Sequence, residues 1–327
     1  MLPKSTDFRM NNKFEPFGKF ISEDKKEFTL LKGLRDWLKP DWRQMLIPHS
    51  KIEGIVLSFG LGGAVYSAEK TLNEYGFSLV DKCVLEVGCH NGNSAYVLAK
   101  FQDTTVHGID ILEYGILQTT DLEIDNGGLE EQQKWLDWQR EKIANYFPKS
   151  VSQKVTFETV DVSEYCQPNI FDMVVSFDTL EHLQQVKQSL KNIYDSLKKG
   201  GVFYSEYNPF FSISGGHSLC TLDFPYGHCL ISADDFERYI KTFRPEEKKP
   251  ALNFYRYNLN RLTIKELLRY FEEIGFKIAH FRGHIPFEDE WDDRIKQELL
   301  PLAKRLYPDV SRDDMVYDQI FIVAVKE

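Results

Sequence analysis

The segment Cys83-Val-Leu-Glu-Val-Gly-Cys-His-Asn-Gly-Asn-Ser94 constrains the fold more than any other stretch, because an apolar strand run passes through an acid and two glycines into helix-forming sequence. Glycines at a strand-to-helix turn let the backbone approach a ligand closely, and the helix behind them offers unpaired N–H groups. Glu86, two residues before the first glycine, would repel a pyrophosphate. The turn therefore suits a ligand with a cationic amino-acid head group better than a dinucleotide.

From residue 83 onward, apolar runs alternate with amphipathic stretches, the pattern of an α/β doubly wound parallel sheet. The runs Cys83 to Val87, Val106 to Ile109, Val155 to Val160, Phe171 to Phe177, Gly201 to Tyr207, Phe276 to Phe281 and Gln319 to Val325 read as strands. Leu183, Val186, Leu190, Ile193 and Leu197 recur at helical spacing, and Lys198-Lys199 reads as that helix's C-terminus. Thr263 with Glu266 predicts a capping box, and Gly275 stops the helix it opens. The last apolar run follows a polar stretch and could enter the sheet antiparallel. Residues 1 to 80 precede this pattern, and residues 208 to 262 form an oversized connection, the usual signature of a lid or binding loop. Both read as one cap over a pocket. Glu246-Glu-Lys-Lys249 reads as a solvated turn, and Trp135 and Trp138 as helix packing.

Glu86, Gly88 and Gly92 resemble the first motif of the class I S-adenosylmethionine (SAM)-dependent methyltransferases: acid, any residue, then three glycines at alternate positions. His90 departs from it by standing at the middle glycine. The resemblance covers residues 80 to 327 by order of elements. It implies a seven-stranded, mostly parallel Rossmann-like sheet with an antiparallel final strand, a helical N-terminal extension (1–80), a methyltransferase domain (81–327) and a lid insertion (208–262).

The resemblance also assigns a cofactor site for SAM. Glu86, Gly88, Cys89, His90 and Gly92 come from the first motif. Asp110, 22 positions after Gly88, stands where doubly wound folds place a carboxylate for ribose hydroxyls, with Ile111 beside it. Asp161 matches the adenine-contacting acid, with Val162 as an amide or apolar wall, and Phe177 and Asp178 close the pocket. His90 either contacts the cofactor or substrate, or turns to solvent.

Methyl transfer from a sulfonium is an in-line displacement, and a hydroxyl acceptor must also lose its proton to a base or with help from a metal. Gly215-Gly-His217 and Phe224-Pro-Tyr-Gly-His228 lie in the lid and offer two bases neutral near pH 7, His217 and His228, which the sequence does not rank. Glu206 and Asn208 point to the same side. Asp178-Thr-Leu-Glu-His182 resembles a segment that holds a divalent cation in ubiquinone-pathway and small-RNA methyltransferases. A metal-dependent variant would therefore use Asp178, Glu181, His182 and His228, although the same sequence occurs in metal-free relatives, and the expectation is no metal.

The 327 residues carry a formal net charge of −10, which disfavours polynucleotide partners, whose affinity comes from Lys and Arg displacing counterions. Five cysteines without a CxxC pair fit reduced thiols and a cytoplasmic location, and no apolar run is long enough for a membrane. The expected activity is O-methylation of a small polar acceptor, a sugar or specialised metabolite. A metal-dependent nucleic-acid 2′-O-methyltransferase and a non-catalytic SAM-binding protein stay open as alternatives, as does a homodimer.

Overall fold

The structure is a computed structural model and describes residues 14–40, 42–47, 51–57, 59–112, 126–286 and 294–327. Strands β1 (Pro16–Ile21) and β2 (Glu27–Leu31) make an antiparallel hairpin. The other seven strands form one sheet: β3 (Cys83–Val87), β4 (Thr105–Asp110), β5 (Val155–Thr159), β6 (Phe171–Phe177), β7 (Leu197–Tyr207), β8 (Phe276–His284) and β9 (Gln319–Lys326). Their order is β5-β4-β3-β6-β7-β9-β8, with β9 antiparallel to both neighbours. The order reverses between β3 and β6, so the crevice beyond their carboxyl ends is where an open α/β sheet takes a ligand.

Helices cover both faces. On one, α1 (Phe59–Glu74) and α2 (Asn93–Leu98) bury Val65, Leu72 and Leu98 against Val84, Val106, Met173 and Val175. On the other, α3 (Val186–Ser196) and α5 (Ile264–Ile274) bury Leu190, Ile193, Leu267 and Phe271 against Leu85, Val174 and Phe203. Residues 84 and 85 face opposite layers and are both fully buried, which is why β3 reads as a continuous apolar run rather than an alternation. The capping box at Thr263 and the left-handed Gly275 bound α5.

A third apolar cluster lies apart from the sheet. Phe20, Leu30 and Leu34 of the N-terminal region pack with Phe210, Phe224 and Leu230, and with Phe236 and Tyr239 of α4 (Ala233–Phe243). The Leu31 amide donates to the Asp223 carbonyl at 2.7 Å.

The structure differs from the sequence reading in four places. The extension, expected to be helical, also holds the β1–β2 hairpin, and its residues 1–13 lie outside the described residues. Helix α1 belongs to the sheet layers, although it precedes residue 80. Lys198-Lys199 opens β7 instead of closing a helix: Leu197 pairs with Phe171, and the Lys198 ammonium meets Asp172 at 2.8 Å. Glu247 is sealed inside the cap, 2% exposed, because Arg35 from the N-terminal region meets it there.

Candidate active site

The turn after β3 is shaped by two left-handed glycines. Gly88 (φ 83°) has no room for a side chain, since a Cβ would lie 2.0 Å from Thr179 Oγ1. At Gly92 (φ 84°) a Cβ would come within 2.4 Å of Phe157 Cζ. Between them His90 also adopts a left-handed φ of 44°, a conformation that costs a residue with a Cβ about 1–2 kcal/mol. Its amide donates to Asp110 Oδ2 at 2.5 Å, and its carbonyl accepts from Arg140 Nε and Nη2 at 3.1 and 2.7 Å. The imidazole tilts against Trp135, with centroids 5.6 Å apart. His90 thus occupies the middle-glycine position with its backbone held from two sides.

These residues open onto a cavity of about 320 Å³ at the switch point, within the usual size range of ligand pockets. Its wall includes Gly88, His90, Asp110 and Ile111 from the first two turns, Asp161 and Val162 after β5, and Phe177 and Asp178 at the end of β6. Asp110 Oδ1 accepts the Ile111 amide at 2.7 Å. Asp161 accepts the Ser163 amide at 2.7 Å.

Three residues expected at the cofactor stand behind this wall. Glu86 is 1% exposed; Ser94 donates to its Oε1, and its Oε2 has no hydrogen-bond partner. Burial, reinforced by the Asp110 charge, pushes its carboxyl up to about 7. Cys89 is directed away from the cavity: its thiol packs on Gly108, where a Cβ would lie 2.8 Å from Sγ, and receives Arg140 Nη2 at 3.7 Å. Gly92 contributes backbone shape alone.

A polar cluster adjoins the far end of the cavity. Asp178 (φ 48°) donates its amide to the Glu206 carbonyl at 2.9 Å, and its carboxylate accepts from Asn208 Nδ2 at 2.9 Å. Desolvation raises its pKa, and burial followed by the Asp178 charge pushes Glu206 up to about 7. Glu181, buried on the turn after β6, is pushed up to about 8 by burial and then by Asp178; the Asn208 amide donates to its Oε1 at 3.2 Å, and Oε2 has no partner. His182 lines the cavity and donates from Nδ1 to the Asn258 carbonyl at 2.5 Å, with burial lowering its pKa to about 4.

The two lid histidines have different surroundings. His217 (φ 48°) tilts its ring against that of His182 with centroids 5.0 Å apart, and its Nε2 lies 3.9 Å from Glu181 Oε1 with no hydrogen-bond partner. Burial, then His182, holds its pKa well below the usual value. The two glycines before it explain its position: a Cβ at Gly215 would lie 2.1 Å from the Phe210 carbonyl oxygen, and one at Gly216 2.8 Å from the Cys220 backbone. His228 is 1% exposed and donates from Nε2 to the Phe210 carbonyl at 2.7 Å; neither His217 nor His228 forms part of the cavity wall, and His217 reaches it through His182. The His228 ring stabilises the cap interior instead of facing the cavity.

A family model described as a methyltransferase domain matches residues 66–280, about two thirds of the chain. The chain belongs to the SAM-dependent methyltransferase family. No curated protein matches it. Among solved structures, a SAM-dependent methyltransferase from Mesorhizobium loti overlaps with 14% identity, 81% of this chain, 99% of that chain and a TM-score of 0.45. A Haemonchus contortus phosphoethanolamine N-methyltransferase 2, in complex with phosphomonomethylethanolamine and S-adenosylhomocysteine, overlaps with 18% identity, 80% of this chain, 52% of that chain and a TM-score of 0.46. Overlaps of this size say nothing about the acceptor.

The cofactor of this methyltransferase is SAM, and the pocket fits it on two observations: a turn with no room for a Cβ at Gly88, and a buried carboxylate oxygen on Glu86 with nothing to accept from. Sequence reasoning missed Thr179, Leu183, Gln184, Tyr257 and Asn258 in the wall. Thr179 stands inside the Asp178 to His182 segment already singled out. Tyr257 and Asn258 carry no sequence signal, because only the fold of the lid brings them to the sheet. Among the described residues no helix is long and apolar enough to cross a membrane.

Proposed function

We propose that this methyltransferase methylates a hydroxyl oxygen of a small polar acceptor, a sugar or specialised metabolite, with His217 as the proton acceptor. The Gly88 to Gly92 turn, Asp110, Asp161 and Phe177 would hold SAM, with the Glu86 carboxyl buried behind the turn, and SAM supplies an electrophilic methyl group on sulfur. The acceptor oxygen attacks that carbon in line as the carbon–sulfur bond breaks with its electron pair going to sulfur. The hydroxyl proton passes to His217 Nε2. The observation that carries the reading is the unpartnered Nε2 of a neutral imidazole, 3.9 Å from Glu181 Oε1. Asp178 and Asn208, bonded to each other at 2.9 Å, offer polar groups to orient the acceptor. The net charge of −10 favours a small acceptor over a polynucleotide.

The test is transfer from methyl-labelled SAM to a panel of sugars, phenols, RNA and protein, with wild type and His217→Gln. Labelling of hydroxyl acceptors that His217→Gln loses supports the reading. Labelling of RNA or protein alone would sink it.

One observation favours a second reading, metal-assisted transfer. Ligand atoms of Glu181, His182 and His217 lie within 4.8 Å of one another. This differs from the set implied by resemblance, in which His228 stood where His217 is found and Asp178 was a ligand. Activity abolished by a chelator and restored by one divalent cation would favour this second reading, and chelator-resistant activity the first.

A further inference from the structure

The lid enters the wall of the cofactor pocket through Tyr257 and Asn258. They sit on a single π-helical turn, Phe254–Asn258, that follows the short helix Lys248–Asn253. Such a turn inserts one extra residue into the helical repeat at a cost in hydrogen-bond geometry, and these turns recur at functional sites. Here the insertion divides the turn between two environments. Phe254 and Tyr255 are 1% and 3% exposed in the cap, where Tyr255 stacks on Phe236 with centroids 4.1 Å apart. Tyr257 is 38% exposed and faces the cavity.

The segment is fastened to the sheet at one place. His182 Nδ1 donates to the Asn258 carbonyl at 2.5 Å, the Asn260 amide donates to the Glu181 carbonyl at 2.9 Å, and Asn260 Nδ2 donates to the carbonyls of Leu180 and Leu183 at 2.8 and 3.0 Å. The turn after β6 is thereby tied to the lid, and the lid's position over the cavity is fixed by hydrogen bonds to backbone carbonyls as well as by apolar contact.

Within this arrangement one group is left over. Asn258 is 3% exposed, its carbonyl serves His182, and its Nδ2 has no hydrogen-bond partner. A buried donor left unpaired costs about 1–3 kcal/mol, so it is normally met by something. The wall also carries Ile111, Val160, Val162 and Leu183, apolar residues that suit the flat faces of a nucleoside.

We propose that Tyr257 and Asn258 are SAM-binding residues supplied by the lid: Asn258 Nδ2 donates to an acceptor atom of the adenosyl group, and the Tyr257 ring covers one of its faces. Cofactor binding and lid docking are then one coupled equilibrium, each favouring the other by the same free energy. The proposal rests on the SAM site and is independent of the acceptor chemistry.

The experiment is calorimetric titration of the full chain with S-adenosylhomocysteine, for wild type, Asn258→Leu, Tyr257→Ala and Glu86→Ala. Asn258→Leu keeps the carbonyl that His182 needs and removes only the amide. Each lid variant is expected to bind about tenfold more weakly, as losing one hydrogen bond or one stacked face predicts. Wild-type affinity in either lid variant overturns the role of that residue, while loss in Glu86→Ala alone leaves the cofactor site standing without the lid. Should Asn258→Leu fail to fold, amide exchange in the wild type decides: residues 254–260 gain protection with S-adenosylhomocysteine if the proposal holds, and unchanged exchange there, with protection at 86–92, overturns it.

Discussion

Arg35 and Glu247 lie 212 positions apart and form a two-pronged ion pair, Nη1 to Oε1 at 2.8 Å and Nη2 to Oε2 at 2.7 Å, with both side chains sealed from solvent. The same guanidinium donates from Nε and Nη2 to the Ser218 carbonyl at 3.1 and 2.8 Å, one residue from His217. The N-terminal region therefore reaches the residue next to the proposed proton acceptor through a single side chain.

Breaking a buried pair by removing one partner typically costs about 3–5 kcal/mol, because the other charge stays buried. Arg35→Met is expected to fall in that range in urea unfolding. Glu247→Gln is expected to cost more, since Arg244, 3.7 Å from Glu247 and with no hydrogen-bond partner for its side chain, would leave two guanidiniums facing each other without a carboxylate. Equal losses for the two variants would contradict this ordering.

Gly88→Ala is expected to remove measurable S-adenosylhomocysteine binding. The new methyl would overlap Thr179 and sit on a backbone of φ 83°. Thr179→Gly should restore only part of the affinity, because clearing the overlap leaves the left-handed strain of about 1–2 kcal/mol. Full restoration would mean that the overlap was the whole effect.

The pH dependence of cofactor binding follows from Glu86, whose carboxyl sits near 7 in the folded chain against 4.5 for an ordinary glutamate. A raised carboxyl pKa means that the folded state holds a proton the unfolded state has lost. The contribution of Glu86 to stability is thus present below about pH 4.5 and is lost as pH rises to about 7. A cationic head group favours the ionised form, so binding should release a proton below pH 7 and weaken by up to about tenfold per pH unit there. Asp110 and Arg140 are the charges facing Glu86, and Glu86→Gln isolates its share. Calorimetry in buffers of different ionisation enthalpy measures the proton release; a pH-independent affinity in wild type would contradict it.

The two lid histidines should separate cleanly. His217→Gln is expected to lower kcat by about 10²–10⁴-fold with S-adenosylhomocysteine affinity unchanged. His228→Gln is expected to lower the unfolding midpoint, because it disturbs the Phe210 contact in the cap, while kcat at low temperature stays near wild type. The reverse pattern would transfer the proton-accepting role to His228.

The sheet, the antiparallel last strand, the capping box at Thr263 and the Gly88 turn were legible because each is local: period, cap and glycine all act within a few residues. The sealed Glu247 was not legible, because a charged run is solvated unless a partner arrives from elsewhere, and Arg35 does so from the N-terminal region. His217 and His228 looked alike, each preceded by glycine. What separates them is the carbonyl of Phe210, and sequence does not say which ring that carbonyl will meet. Tyr257 and Asn258 reach the pocket only because the cap packs as one unit with the hairpin.

Strand β8 makes its entire ladder with β9, and β7 keeps an open edge until β9 fills it. Gln319 follows His284 by 35 positions. At about 5–20 residues per second, a ribosome needs roughly two to seven seconds to cover that interval. During that time β8 has no partner and β7, paired with β6 alone, has one open edge, a template that another chain can join. The open edge of β7 waits longer still, since Gln319 follows Tyr207 by 112 positions.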